Sequence, residues 1–180
     1  MGSRRRFSYK RATAGRSLAL PPTSRRLEIT DTLTIRLAEP RERHDLEQLQ
    51  LRASLNNPGD RDAILANPDA IELPTDQIVA GQVFVAERNG AVVGFAAVLD
   101  RDDRDTELDG LFVEPSCWRS GVGRALVDRC ADYGRERNAR AIHVVGNPHA
   151  LAFYKAYGFV GVGTYQTRFG IGILMSKSIA

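Results

Sequence analysis

Between residues 105 and 145 the hydrophobic period of the chain changes twice, and this constrains the fold more than any other feature. Asp105 to Val113 reads as a strand. After Pro115 the apolar positions Val122, Ala125, Leu126, Cys130 and Tyr133 recur at helical spacing to about Asn138, and Ala141 to Val145 is again a short strand. A strand, helix, strand unit returning to one sheet must cross over right-handed, because a right-twisted strand feeding a right-handed helix packs back onto the sheet only that way.

The remaining segments fit around this unit. Leu33 to Leu37 alternates in the strand period, and Glu39-Pro40 opens a helix with Leu46, Leu49, Leu51 and Leu55 on a broad apolar face. Asn57-Pro58-Gly59-Asp60 breaks it; a short helix around Asp62 to Ala66, a loop from Pro68 to Pro74 and a turn from Thr75 to Ala80 complete an insert where a substrate lid could lie. Val83 to Glu87 and Val92 to Leu99 flank Arg88-Asn89-Gly90-Ala91, and Asn-Gly marks a hairpin because both turn positions need positive φ. Asp105 to Val113 extends this meander. Simple alternation puts Glu107, Asp109, Leu111 and Val113 on one face and Leu108, Gly110 and Phe112 on the other, with Gly110 marking a bulge or a close backbone approach. Asn147-Pro148 starts a helix that Gly158 stops, and Phe159 to Gly163 with Ile173 to Ser176 read as closing strands. The expected class is α/β: a mixed sheet with helices on both faces.

At 180 residues the chain suits one core. Eight of its 25 basic residues fall within residues 1–26, which hold no acid, so the net charge of +3 hides an acidic remainder. The expected organisation is therefore a basic extension over residues 1–30, disorder-like in composition, followed by one domain over residues 31–180. A nucleic-acid arm or a targeting segment is the other reading of that extension, and the acidic domain argues against nucleic acid as its own partner. Apolar runs such as Val92 to Leu99 are too short to span a membrane. Cys117 and Cys130 are too few for a disulfide framework, and no signal-peptide pattern opens the chain, so the expected setting is a reducing cytoplasm.

Two glycines stand at the second junction, in Trp118-Arg119-Ser120-Gly121-Val122-Gly123-Arg124-Ala125-Leu126. Lacking side chains at the mouth of a helix, they let an anion approach backbone N–H groups that the helix dipole makes positive; a plain tight turn is the alternative. A Walker loop is excluded because no Gly-Lys-Ser/Thr string exists, and a dinucleotide fingerprint because Leu126 stands where a third glycine or alanine belongs. What the stretch resembles is the pyrophosphate loop of the GNAT superfamily of acyl-CoA-dependent N-acyltransferases, Gln/Arg-x-x-Gly-x-Gly/Ala, with Gly121 and Gly123 on the glycine positions and Trp118 departing from the Gln/Arg position. Asn147 to Phe159, reading Asn-Pro-His-Ala-Leu-Ala-Phe-Tyr-Lys-Ala-Tyr-Gly-Phe, is similar to the family's Asn-x-x-Ala-x-x-Phe-Tyr-x-x-x-Gly-Phe segment. Read from spacing alone, Asn147 and Tyr154 fall on one helical face, so amide and hydroxyl can point into one cleft.

The resemblance implies a bent, mostly antiparallel mixed sheet whose central parallel pair, Asp105 to Val113 and Ala141 to Val145, splays apart to admit acetyl-CoA. It implies pantetheine pairing with the backbone of Leu111, Phe112 and Val113, pyrophosphate on Arg119, Ser120, Gly121, Val122, Gly123 and Arg124, and further contacts from Asn147 and Tyr154. The chemistry to expect is direct attack of a primary amine on the thioester. An amine near pKa ~10 must first lose a proton, and Glu107, about where family members carry a base, is the candidate base, with Asp109 one pleat away. Tyr154 is the candidate acid for the departing sulfur, and a backbone N–H near Leu111 to Val113 the oxyanion donor. Cys117 reads as structural, and His143 and His149 lack companions at metal-ligand spacing, so no metal is expected. The expected acceptor is a small-molecule amine. The other readings are a protein N-terminal or lysine acetyltransferase, a CoA-binding module without turnover, and a nucleic-acid-binding protein resting on the extension alone. For assembly, a homodimer stays open.

Overall fold

The computed structural model describes residues 32–180; the basic extension expected over residues 1–30 lies outside the described residues. The strands are β1 (Leu33–Leu37), β2 (Val83–Arg88), β3 (Ala91–Asp100), β4 (Thr106–Val113), β5 (Ala141–Gly146), β6 (Val160–Thr167) and β7 (Gly170–Ser178). The helices are α1 (Arg43–Asn56), α2 (Arg61–Ala66), α3 (Thr75–Val79), α4 (Val122–Glu136) and α5 (Leu151–Ala156). The sheet runs β1-β2-β3-β4-β5-β7-β6, and every neighbouring pair is antiparallel except β4 and β5. This is the expected mixed fold.

Each boundary has a local cause. A 3-10 turn at Pro40–Glu42 precedes α1, with the Glu42 side chain closing a capping box onto Glu39. Asn89 and Gly90 adopt φ 52° and 78°, the left-handed pair that a two-residue hairpin needs. The closing hairpin of β6 and β7 runs longer than the apolar pattern suggests, because β6 lies at the sheet edge and little of it is buried. The alternation of Val160 and Val162 ends before Thr164, and these side chains are exposed.

Two apolar layers sandwich the sheet. On one face α4 buries Val122, Leu126, Val127, Cys130 and Tyr133 against Phe84, Ala86, Ala96, Val98, Leu108 and Ile142. On the other, Leu46 and Leu49 of α1, with Leu73 and Ile78, cover Val83, Val85, Phe95 and Ala97. β2 and β3 are continuous apolar runs because both of their faces are covered. Cys130 is wholly inside, and burial pushes its thiol up to about 12, which fits a structural role.

In β4 the simple alternation fails. Ala97 pairs with Gly110 and Val98 with Leu108, leaving Asp109 as an extra residue. The bulge returns Leu111 and Val113 to the α4 face beside Leu108 and sends Phe112 to the α1 face. Grouping Leu111 and Val113 with Glu107 is therefore corrected. A period of two holds only while the ladder is regular.

Leu126 is fully enclosed between α4 and the sheet. Leu126→Ala should lower the unfolding free energy by about 2–5 kcal/mol, read from urea denaturation.

Candidate functional site

β4 and β5 pair over only three residues, Thr106 with Ile142, Glu107 with His143 and Leu108 with Val144. Beyond Leu108 the strands part, and β4 presents its open edge to a cleft. Gly146, the last residue of β5, helps open it: a Cβ there would stand 3.1–3.2 Å from the Tyr154 ring and 2.6 Å from Met175 Cε. Only glycine lets the ring cross the end of the strand. The cleft comprises two adjoining cavities, of about 410 and 460 Å³, which share Ser54, Asn57, Asp60, Leu111, Phe112, Ala150 and Tyr154.

The 410 Å³ cavity runs along the open edge of β4 toward α4, past Val113, Cys117, Trp118, Arg119, Gly123 and Phe153. Its end is built for an anion. Gly121 precedes the first residue of α4 at φ 86°, a conformation that costs other residues about 1–2 kcal/mol. The first-turn amides of α4 thereby face outward with the positive end of a 15-residue helix behind them. Arg88 holds the turn from below, donating to Ser120 Oγ at 3.1 Å and to the Ser120 carbonyl at 3.2 Å. Ser120 Oγ in turn donates to the Cys117 carbonyl at 2.6 Å. Arg124 is exposed at the helix mouth, 3.5 Å from Asp128.

Trp118, the residue that departs from the pyrophosphate-loop pattern, forms a wall of this cavity and donates its indole N–H to the Val113 carbonyl at 2.8 Å. Val113 thus already has a donor on the carbonyl expected to meet pantetheine. No sequence signal pointed to this contact, because a turn residue reaching back five positions leaves no periodic trace.

The 460 Å³ cavity lies on the far side of Tyr154, between the α1–α3 insert and the Asp109 bulge, and Phe169 from the β6–β7 turn lines it. Asp109 opens onto this cavity and is exposed there, yet the surrounding walls still take some hydration from its carboxyl. That desolvation raises its pKa, the neighbouring Gln77 amide lowers it, and the charge of Glu107 raises it further. Tyr154 is buried, edge-on to Phe153 and Phe159 at 5.1 and 5.4 Å between ring centroids. Burial, with the charge of Asp60 adding to it, holds the phenol well above its ordinary range, so it stays protonated far into alkaline conditions.

Asn147 fulfils the expected helix start. Its Oδ1 accepts from the His149 amide at 2.9 Å, while its Nδ2 donates to Asp60 in a short hydrogen bond. Asn57 Nδ2 donates to the other Asp60 oxygen at 2.8 Å. The loop after α1 is thus clasped to the start of α5 across the junction of the cavities. Asp60, which sequence spacing did not single out as a site residue, stands at the centre.

Glu107 takes a different place. It lies outside the residues lining either cavity and forms an ion pair with Arg101 at 2.9 Å. His143 pairs with Asp105 at 3.1 Å, and with Asp103 these residues bring ligand atoms within 4.8 Å of one another. Arg101 engages Asp103 at 3.0 Å, and the Arg140 and Ala141 amides engage Asp105. Among the described residues no helix is long and apolar enough to cross a membrane.

The family model described as the Acetyltransferase (GNAT) family matches residues 44–159. The chain belongs to the GNAT family of acetyltransferases. An uncharacterised N-acetyltransferase of Methanocaldococcus jannaschii is 34% identical over 85 residues, which are 42% of this chain and 38% of that protein; this chain thus matches well under half the length of that relative. An uncharacterised N-acetyltransferase of Mycobacterium bovis is 33% identical over 113 residues, 61% of this chain and 70% of its own. Among solved structures, the Ard1 protein of Thermoplasma volcanium shares the fold at TM-score 0.64 and 22% identity, over 82% of this chain and 98% of that one. The PaiA N-acetyltransferase of Thermoplasma acidophilum, solved in complex with coenzyme A, does so at 0.66 and 15%, over 82% and 99%. These two likenesses are of fold.

This GNAT chain has one tryptophan, and it stands in the wall of the smaller cavity. Titrating acetyl-CoA should therefore change the intrinsic tryptophan emission. A flat titration alongside calorimetric binding would remove Trp118 from the occupied groove.

Proposed function

We propose that this protein is an N-acetyltransferase that carries an acetyl group from acetyl-CoA directly to the primary amine of a small molecule within a ternary complex. The observation that carries this reading is the junction of the cavities: the open edge of β4 and the mouth of α4 lie on one side of Tyr154, and an acid-bearing pocket on the other. Acetyl-CoA would lay its pyrophosphate on the amides of residues 120–124, with Arg119 and Arg124 beside them, and run its pantetheine along Leu111, Phe112 and Val113 as an added strand would. The thioester then arrives at Tyr154 and Asn147.

The acceptor amine enters as an ammonium ion from the larger cavity and must shed a proton. Asp109 suits this role better than Glu107. Its carboxyl opens onto the cavity and is shifted toward the pKa of a useful base, whereas Glu107 is held by Arg101. The neutral nitrogen attacks the carbonyl carbon. The oxygen takes on negative charge beside a backbone N–H of the β4 edge, the nitrogen, now cationic, gives its second proton to solvent, and the carbon–sulfur bond breaks to give amide and CoA thiolate. Tyr154 meets that thiolate with its O–H. Because a thiol has a reference pKa near ~8.5, a phenol held this high acts first as a hydrogen-bond donor to sulfur and only then as a proton source.

A CoA-binding module without turnover would need the α4 mouth but neither Asp109 nor Tyr154 facing the junction. Release of CoA thiol from acetyl-CoA across a panel of amines separates the two: no release with any amine, despite binding, favours the module.

Tyr154→Phe preserves the ring packing and should reduce kcat about 10²-fold, with the KM for acetyl-CoA changed only a few-fold. For the wild type, the acidic limb of kcat/KM should lie above the ordinary aspartate value of about 3.9, because Asp109 must be ionised to accept the proton and its pKa is raised. Asp109→Asn should lower kcat by about 10² or more and abolish that limb. An unchanged limb would move the base elsewhere.

A further inference from the structure

We infer that the acceptor is a small aliphatic diamine or oligoamine, with a second ammonium group besides the one acetylated. This rests on the transferase reading above and concerns the larger cavity. Three carboxylates line it, Asp60 from the loop after α1, Glu72 from the segment before α3, and Asp109 from the β4 bulge, and among the described residues no Lys, Arg or His lines it.

The contrast with the rest of the molecule is chemical. Elsewhere arginines partner the acids: Arg36 with Glu42, Arg43 with Glu47, Arg52 with Glu114, Arg101 with Glu107. In the cavity, among the described residues, Asp60 accepts hydrogen bonds from the neutral amides of Asn57 and Asn147, and the neutral amide of Gln77 lies beside Asp109. Hydrogen bonds from neutral amides satisfy carboxylate oxygens without cancelling their charge. Gln77 adds a second, independent observation. Its Oε1 is buried and accepts no hydrogen bond among the described residues, so a turn of the amide on the cavity wall would present an unmet acceptor to an incoming N–H donor.

Charge counting then selects the ligand. A monoamine brings one positive charge, which Asp109 meets when it takes the ammonium proton. Asp60 and Glu72 remain, and a second ammonium at the far end of the acceptor answers them. Between the charged ends, Ile64, Leu73, Phe112 and Phe169 give apolar wall for a methylene chain, and about 460 Å³ accommodates a small molecule. The same field repels an amine that carries its own carboxylate, as a free amino acid does.

The test uses the full chain in a thiol-release assay with acetyl-CoA at low and high salt, comparing 1,4-diaminobutane and spermidine with butylamine, glycine and a short lysine-containing peptide. The expected result is a kcat/KM for the diamine at least about tenfold above that for butylamine, carried by KM, narrowing as salt rises, with glycine poorest. Glu72→Gln should bring the ratio of diamine to butylamine close to unity through the diamine KM. Butylamine matching the diamine overturns the inference, as does the peptide exceeding it, or a ratio untouched by Glu72→Gln. Acetyl-CoA binding without turnover of any amine overturns it too while leaving the cofactor groove in place. Failure to bind acetyl-CoA by calorimetry defeats the transferase reading itself.

Discussion

Everything at the site depends on how briefly β4 and β5 pair. Three residue pairs hold the parallel strands together, and then the ladder ends. The extra residue at Asp109 bends β4 where the pairing stops, and Gly146 lets the Tyr154 ring cross the end of β5. Unpaired main-chain groups in the middle of a sheet are costly unless something else bonds them. In this fold that cost is confined to one edge, covered on one side by α4 and on the other by the α1–α3 insert, so a strand-like ligand can complete it. The parallel crossover through α4 also fixes where the helix mouth lies: beside the open edge, at the end where a pantetheine chain would emerge.

Charge is distributed to match. Arginines pair with acids around the periphery, at Glu42, Glu114 and Glu107, while the larger cavity keeps Asp60, Glu72 and Asp109 among lining residues that, of those described, are otherwise neutral. The two cavities therefore differ in charge as well as position, with Asp60 at their junction. The positive end of α4 and Arg119 face the smaller one, and carboxylates face the larger. In the proposed reaction, donor and acceptor would enter from these different electrostatic environments and meet at Tyr154, whose burial keeps its phenol protonated.

Much of this was legible in the sequence. The Asn89-Gly90 hairpin, the helix after Gly121, and the segment from Asn147 to Tyr154 all follow from local rules of backbone conformation and period, and local rules survive folding. The faces of β4 were less legible. Gly110 signalled an irregularity, but the bulge falls on Asp109, and one inserted residue regroups every side chain after it. Glu107 and Asp109 look alike in sequence, and only the bulge and Arg101 tell them apart. Trp118 and Asp60 were not legible as site residues, since one acts through a carbonyl five residues back and the other through an asparagine 87 residues on.

By itself the sequence determined the order of strands and helices, the glycine turn at the mouth of α4, and the helix start at Asn147 that leads into the segment carrying Tyr154. These depend on φ preferences and hydrophobic spacing within a few residues of each other. The tertiary structure alone decided which acids share a cavity, which arginines neutralise the others, and what Trp118 touches. Those are contacts between segments far apart in the chain, and electrostatic environment is a property of the space they enclose rather than of any one of them.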